Sequence, residues 1–373
     1  MKLVHVVLNF IIFLTFCQCK YEEHEGHFIR NENFKSYDLH ELFPGWQFVE
    51  LNSLISTVDQ VIVDENRIFV LDKVLQKIEI FDRQGRLITS INGDYLQNGN
   101  PVQPICLITD HYGKLMFYDA ANQGFFFFNA DYSLESFRHS EFYCHRIYKT
   151  GDGFIVFKNQ NKQPREKKEY YYNILITDHD FNVKRRLFQF TIEKNLPRVW
   201  TFFSDPLNVT KRGFEFFQPL SNYHYVYDTL RGLYTLPIVF LNYHLNDEVL
   251  RQLDLTNPKV VMEEIFPNYS LINNKKLESK KWTGWRYILK NQVRFTLVDK
   301  EKNLTYCMDE LKVSLHGRDL LLPFPSIQSD NYWVMVLDGQ HYEDLGLKNY
   351  SNIHPIIDSV IQDGKTYLVI IEV

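Results

Sequence analysis

The chain has 373 residues, 45% hydrophobic and 16% aromatic, with a net charge of -5. That is ample material for a large core, and repeat or all-β architectures routinely use this length in one domain. So weak a charge offers neither the basic face that nucleic acid requires nor a polybasic patch for anionic lipid, and 30 Phe with 23 Tyr favour strands over helices.

Lys2 precedes an apolar run at residues 3–16, interrupted only by His5, Asn9 and Thr15. It is too short and too broken to span a bilayer stably, and it reads as an export signal over residues 1–19. The run ends in Cys17-Gln18-Cys19-Lys20. A cysteine there is the mark of a bacterial lipoprotein, so Cys17 and Cys19 are the lipidation candidates, with Leu14 placed three residues before Cys17 as such a cleavage site prefers. Lys20-Tyr-Glu-Glu23 is similar to the short charged tag that sends some lipoproteins to the outer surface. Acyl chains hold a protein at a membrane without a spanning helix, at about 0.8 kcal/mol per buried methylene. Residues 20–36, polar and poor in aliphatics, suit a tether. His24 and His27 there are ascribed to chance rather than to a metal cluster.

From residue 37 onward the chain repeats. Trp46-Gln-Phe-Val-Glu-Leu51 is a lone strand, whose natural partner is the C-terminal Lys365-Thr-Tyr-Leu-Val-Ile-Ile-Glu-Val373. Asp64-Glu-Asn-Arg-Ile-Phe-Val-Leu-Asp72 leads to Lys77-Ile-Glu-Ile-Phe-Asp82, and Asp110-His-Tyr-Gly-Lys-Leu-Met-Phe-Tyr-Asp119 leads to Gly124-Phe-Phe-Phe-Phe-Asn129. The matched Asp72 and Asp119 lie 47 residues apart, close to the roughly 40–50 residues of a propeller blade. Repeats are expected at 58–92, 102–138, from Cys144 to Thr177 and beyond, from 199–203 through 233–240, at 285–315, and from Leu321 to the end. Residues 244–275 carry helical spacing and suggest an insertion of short helices between blades 4 and 5. The charged loop at 162–169 is expected to be a solvated hairpin tip. Phe125-Phe-Phe-Phe128 would face water on any single-faced sheet; a strand covered on both sides by neighbouring blades can be continuously apolar. Asp82-Arg-Gln-Gly85, Asn129-Ala-Asp-Tyr132 and Asp178-His-Asp-Phe181 are the matching hairpin turns. The fold class is therefore all-β, a six-bladed β-propeller over residues 37–373.

The order Val61-Ile-Val-Asp64, Arg67-Ile-Phe-Val-Leu-Asp72, Ile78-Glu-Ile-Phe-Asp82 and Gly85-Arg-Leu resembles the bacterial six-bladed β-propeller lipoproteins, relatives of the NHL-repeat propellers. The likeness extends over most of the chain and is sharpest in the first two repeats. It implies a six-bladed fold and an envelope location, without a defined activity.

Beyond residue 19 the cysteines are Cys106, Cys144 and Cys307, an odd number that gives no disulfide framework; Cys106 and Cys144 read as buried small hydrophobes. Gly-rich phosphate loops, His-Glu-x-x-His, Cys-x-x-Cys and nucleophile elbows are all missing from the sequence. Ligands of propellers meet the loops that enter the innermost strands and the turns between second and third strands. There the residues with binding chemistry are His145, Arg146, Arg198, Trp200, Trp285, Arg286 and Asn122. Arginine forks beside indole faces suit sugars, carboxylates or peptides, whereas Asp72 and Asp119 are expected to serve their turns. The expected function is that of a non-enzymatic binding or scaffold protein for a glycan, peptide or envelope protein, anchored by lipid at the outer membrane, with no catalytic residue, cofactor or metal ligand assigned. The alternative is a metal-dependent hydrolase or lyase of the lactonase or amidating-lyase propeller type. It would require three convergent Glu, Asp, Asn or His ligands on innermost strands.

Overall fold

A computed structural model describes residues 26–92, 102–109, 114–164, 166–189, 205–217, 221–253, 258–272, 275–329, 331–339 and 354–373. The signal segment with Cys17 and Cys19, and Arg198 and Trp200, lie outside them.

Apolar runs in this chain become middle strands. Arg67–Asp72 is buried at every residue after the first, and Leu115–Asp119 is buried throughout. Leu134–His139, at the outer rim of the same sheet as Leu115–Asp119, is exposed throughout. A sheet buried on both faces at its centre and wet at one edge is what radial stacking produces.

Six sheets form among the described residues. Blade 1 is Gln60–Val63, Arg67–Asp72, Lys77–Asp82 and Leu87–Ile91; blade 2 is Pro104–Thr109, Leu115–Asp119, Gly124–Phe128 and Leu134–His139. Blade 3 is Arg146–Thr150, Gly153–Phe157, Tyr172–Thr177 and Val183–Gln189; blade 4 is Leu207–Thr210, Gly213–Phe217, Tyr223–Asp228 and Gly232–Phe240. In blade 5 the short strands Leu271–Ile272 and Leu277–Glu278 pair Trp282–Leu289, followed by Gln292–Asp299 and Leu304–Leu315. Blade 6 joins Ile327–Ser329, Tyr332–Leu337 and Thr366–Glu372 to Trp46–Leu51. Ile371 lies opposite Trp46 and Thr366 opposite Leu51, so the two ends of the ring close in one antiparallel sheet. Apolar clusters fill the gaps between blades, as where Val49, Leu51 and Leu368 meet Val61, Val63 and Val70.

The turns follow the sequence signals. Gly85, Tyr132 and Phe181 each donate their N–H to the residue three before, and adopt φ of 81°, 65° and 63°. The position that costs a β-carbon strain is held open at Phe181 by ring packing, 4.2 Å from Phe125 and 4.9 Å from Phe154 between centroids. At Gly85 only glycine fits, since a Cβ would lie 1.9 Å from the Glu50 carbonyl of the closing strand.

Several expectations are corrected. Of residues 20–36, those from His27 on are structural rather than a tether: His27–Ile29 adds parallel to the rim of blade 4 beside Ile238, Val239 and Phe240, and Lys35–Asp38 adds parallel to Leu304–Leu315 of blade 5. Polar side chains misled there, because a rim strand needs only backbone pairing and one inward apolar residue, which Ile29 supplies. The innermost strand of blade 4 is Leu207–Thr210, while residues 199–203 lie outside the described residues. Arg318–Leu322 pairs Leu304–Leu315 in blade 5 instead of starting blade 6, and blade 5 begins before Trp285. The loop at 162–169 is not simply solvated: Gln163 and Glu166 are buried, and Glu166 forms an ion pair with the wholly buried Lys158. Between blades 4 and 5, Asp247–Gln252 and Pro258–Val260 are helical and Val261–Ile265 is a π turn, packed through Val261 and Ile265 on Leu245 and Leu271.

Candidate functional site

The innermost strands of the six blades surround an axial cavity of about 1430 Å³. Their edges face the axis, so polar side chains that would be excluded between blades are tolerated here. Asp59, Asp64, Glu65, Asp205, Glu215 and Glu278 face Arg146, Lys149, Lys211 and Lys275 across it, with Gln60, Asn208, Gln328, Thr109, Thr150 and Thr210 between. The lining thus carries six carboxylates to four cations, with apolar residues such as Val61, Ile62, Leu107, Ile108 and Ile327 between them.

Arg146 opens the innermost strand of blade 3 and is buried. Its guanidinium donates to Gln60 Oε1 at 3.0 Å and to the carbonyls of Asp59 at 2.8 Å and Ile105 at 3.4 Å, tying three blades together at the cavity wall. Gln60 completes the tie, donating to the Leu107 carbonyl and accepting from the Leu107 N–H. Burial and the Arg146 charge push the Lys73 ammonium down to about 8, opposed by Asp59 at 3.8 Å. On the far side Lys275 is held 2.6 Å from Asp205, which also accepts from the Tyr148 hydroxyl. Lys276 bridges Glu215 at 3.0 Å and Glu278 at 2.6 Å. Burial alone would lower Lys276, but the two carboxylates outweigh it and hold the ammonium above its usual value.

Behind Glu215, between blades 4 and 5, two imidazoles stack. The His27 ring lies 4.7 Å from His224 and 4.7 Å from Trp285, and His224 lies flat on Phe217 at 4.9 Å. Gly26 lets His27 enter: a Cβ there would meet Pro237 Cγ at 2.6 Å. Burial, with Lys276 nearby, pushes His27 down to about 3 and His224 to about 4, so both rings are neutral near pH 7. The donor atoms of His27, Glu215 and His224 all lie within 4.8 Å of one another.

Of the sequence candidates, Arg146 alone among the described ones lines the cavity, and it does so as a clamp between blades. His145 beside it is half-buried, its ring edge-on to Phe157 at 5.9 Å, and burial with Arg146 and Lys73 pushes it down to about 3. Trp285, expected at a ligand face, is instead a buried residue of Trp282–Leu289, packed with Phe217 and Tyr287. The cause is the early start of blade 5, which moves Trp285 from an entry loop to a second strand. Arg286 is half-buried on that strand and its guanidinium is lowered by burial. Asn122 serves its turn, donating N–H and Nδ2 to Asp119 Oδ1 at 2.7 and 2.9 Å. Asp119 and Asp72 each collect backbone N–H groups from both sides of their turns, the role expected of them. The trio of His27, Glu215 and His224 was missed because its members are 188 and 9 residues apart along the chain and none is on an innermost strand; only the paired rim strand brings His27 to it.

The sequence matches the profile of a family described as "6-bladed beta-propeller" over residues 18–336. No curated protein matches it. Among solved structures, an exported protein of Bacteroides fragilis is similar at 15% identity and a TM-score of 0.66, with 93% of this chain and 99% of that chain covered. A member of the duf4221 family from Bacteroides vulgatus is similar at 9% identity and a TM-score of 0.48, covering 88% of this chain and 96% of that one. No helix of the described residues is long and apolar enough to cross a membrane.

Proposed function

The chain belongs to the 6-bladed beta-propeller family, and on that premise we propose that it is an exported, envelope-held binding protein which takes a short glycan or a peptide end into its axial cavity. The observation that carries this reading is the lining: an opening of about 1430 Å³ edged by amides, hydroxyls and charges of both signs. Small-molecule pockets are typically about 300–1,000 Å³ and largely apolar. This cavity is larger and mixed, with polar groups set among Val61, Ile62, Leu107, Ile108 and Ile327, and suits a ligand that offers hydroxyl or peptide groups beside apolar faces. A lining with more carboxylates than cations disfavours a polyanion. Export and a lipid anchor are supported by the hydrophobic leader that ends in Cys17 and Cys19, and an exported protein is among the similar structures. Acylation at either cysteine would leave the ring outside the bilayer as a receptor or scaffold for an envelope partner.

Glycan and peptide arrays probed with the protein test this reading. Thr150→Trp and Thr210→Trp each place an indole in the cavity, and both should abolish capture of whatever the wild type retains while the circular dichroism spectrum is unchanged. Retained capture by both variants would move the ligand away from the axis.

A further inference from the structure

We propose that His27, Glu215 and His224 bind one divalent transition-metal ion of the zinc class at the seam between blades 4 and 5. The site shares Glu215 with the axial cavity, but the inference stands without the ligand reading. Two imidazoles and a carboxylate are the donor set that zinc and its neighbours prefer over calcium or magnesium, which seek oxygen alone. All three donor atoms already lie within 4.8 Å of one another. Ligands about 2.1 Å from a tetrahedral ion are roughly 3.4 Å apart, so the set has to close by about an ångström to hold the ion.

A second observation points the same way. His224 is fully buried; the Leu236 carbonyl lies near enough to its ring to favour the protonated form, but neither ring nitrogen makes a hydrogen bond of good geometry, and Nε2 of His27 is buried and unpartnered. Glu215 Oε1 lies 3.9 Å from His224 Nε2, beyond hydrogen-bonding reach. Buried polar atoms without partners are rare and costly, and an ion held by one nitrogen from each ring would satisfy both imidazoles at once. Phe217 and Trp285 wall the rings on two sides and fix their planes.

Lys276 is the opposing element, 3.0 Å from Glu215. Glu278 lies 2.6 Å from the same ammonium and holds it when one oxygen of Glu215 turns to the ion. Glu215 also lines the axial cavity. With three protein ligands, the fourth coordination position is left to water or to a group entering from that side.

The test uses the untagged protein, stripped with a chelator and titrated with Zn²⁺ alone by calorimetry, and with Co²⁺ followed by its visible spectrum. The expected result is one equivalent bound, intense tetrahedral Co²⁺ bands, and a Zn²⁺-dependent rise in melting temperature. His27→Gln and Glu215→Gln should each weaken binding at least about tenfold, by analogy with the losses seen when metal-site residues are removed. Absence of stoichiometric binding by the wild type overturns the proposal whatever the variants do. Binding by folded His27→Gln and Glu215→Gln at wild-type strength overturns it as well.

Discussion

Arg146 of blade 3 donates to the side chain of Gln60 of blade 1 at 3.0 Å, passing over the innermost strand of blade 2. A cationic fork with several acceptors in a buried wall is a stronger tie than the neutral bonds of the strands, because charge-assisted bonds contribute about 1.5–3 kcal/mol where neutral ones contribute about 1. Arg146→Ala should therefore lower unfolding free energy by about 2–3 kcal/mol. Paired with Gln60→Ala in a double-mutant cycle by urea denaturation, it should show a coupling of about 1 kcal/mol. Purely additive effects would mean that the two side chains do not support one another.

Lys158 and Glu166 are both fully buried, and the carboxylate also accepts from the N–H groups of Tyr143 at 3.0 Å and Gln163 at 2.9 Å. Removing one charge strands the other. Lys158→Met should cost about 3–5 kcal/mol, and adding Glu166→Gln should restore much of it, because the neutral pair no longer carries a buried charge. Lys162→Met in the same loop provides the exposed control. If the buried and exposed substitutions cost the same, the ion pair is not formed in solution.

His27 and His145 are pushed down to about 3 and His224 to about 4, from an ordinary value of 6.5. Well above pH 6.5 the three rings are neutral in folded and unfolded chains alike and contribute no pH dependence. Below it the unfolded chain takes up protons that the folded chain refuses until about pH 4 to 3, so stability falls as pH falls through that window. Each ring contributes up to about 1.4 kcal/mol per pH unit. Metal-free protein should accordingly unfold in less urea at pH 5 than at pH 7. His244 is lowered by burial too, so His145→Gln should remove a part of the histidine slope, and a slope that is unchanged would show that His145 is hydrated.

The middle strands of blades 1 to 3 were legible because their burial on both faces writes itself as continuous apolar runs, and because Asp, Asn and Gly mark each hairpin. Closure through Trp46–Leu51 was legible for the same reason: a lone apolar strand at one end called for a partner at the other, and Thr366–Glu372 is that partner. Blades 4 and 5 were harder. In blade 4 the innermost strand Leu207–Thr210 lines the cavity and carries polar residues, and in blade 5 the split pair Leu271–Ile272 and Leu277–Glu278 is too short to leave a repeat signature. That shift displaced Trp285 from the expected ligand face. The rim strands His27–Ile29 and Lys35–Asp38 were invisible, since backbone pairing at a wet edge places almost no demand on side chains.

The segment from His27 to Leu51 has consequences for biogenesis. Asn31 donates to the Asn242 carbonyl across 211 residues of sequence, and the Arg30 carbonyl accepts from Thr296 across 266. What leaves the ribosome first is therefore among the last to find its place. Until Thr366–Glu372 is made, Trp46–Leu51 stays an unsatisfied strand that any other nascent chain could capture. Yield of this protein should depend on how long that segment is shielded by a chaperone rather than on the stability of the finished ring.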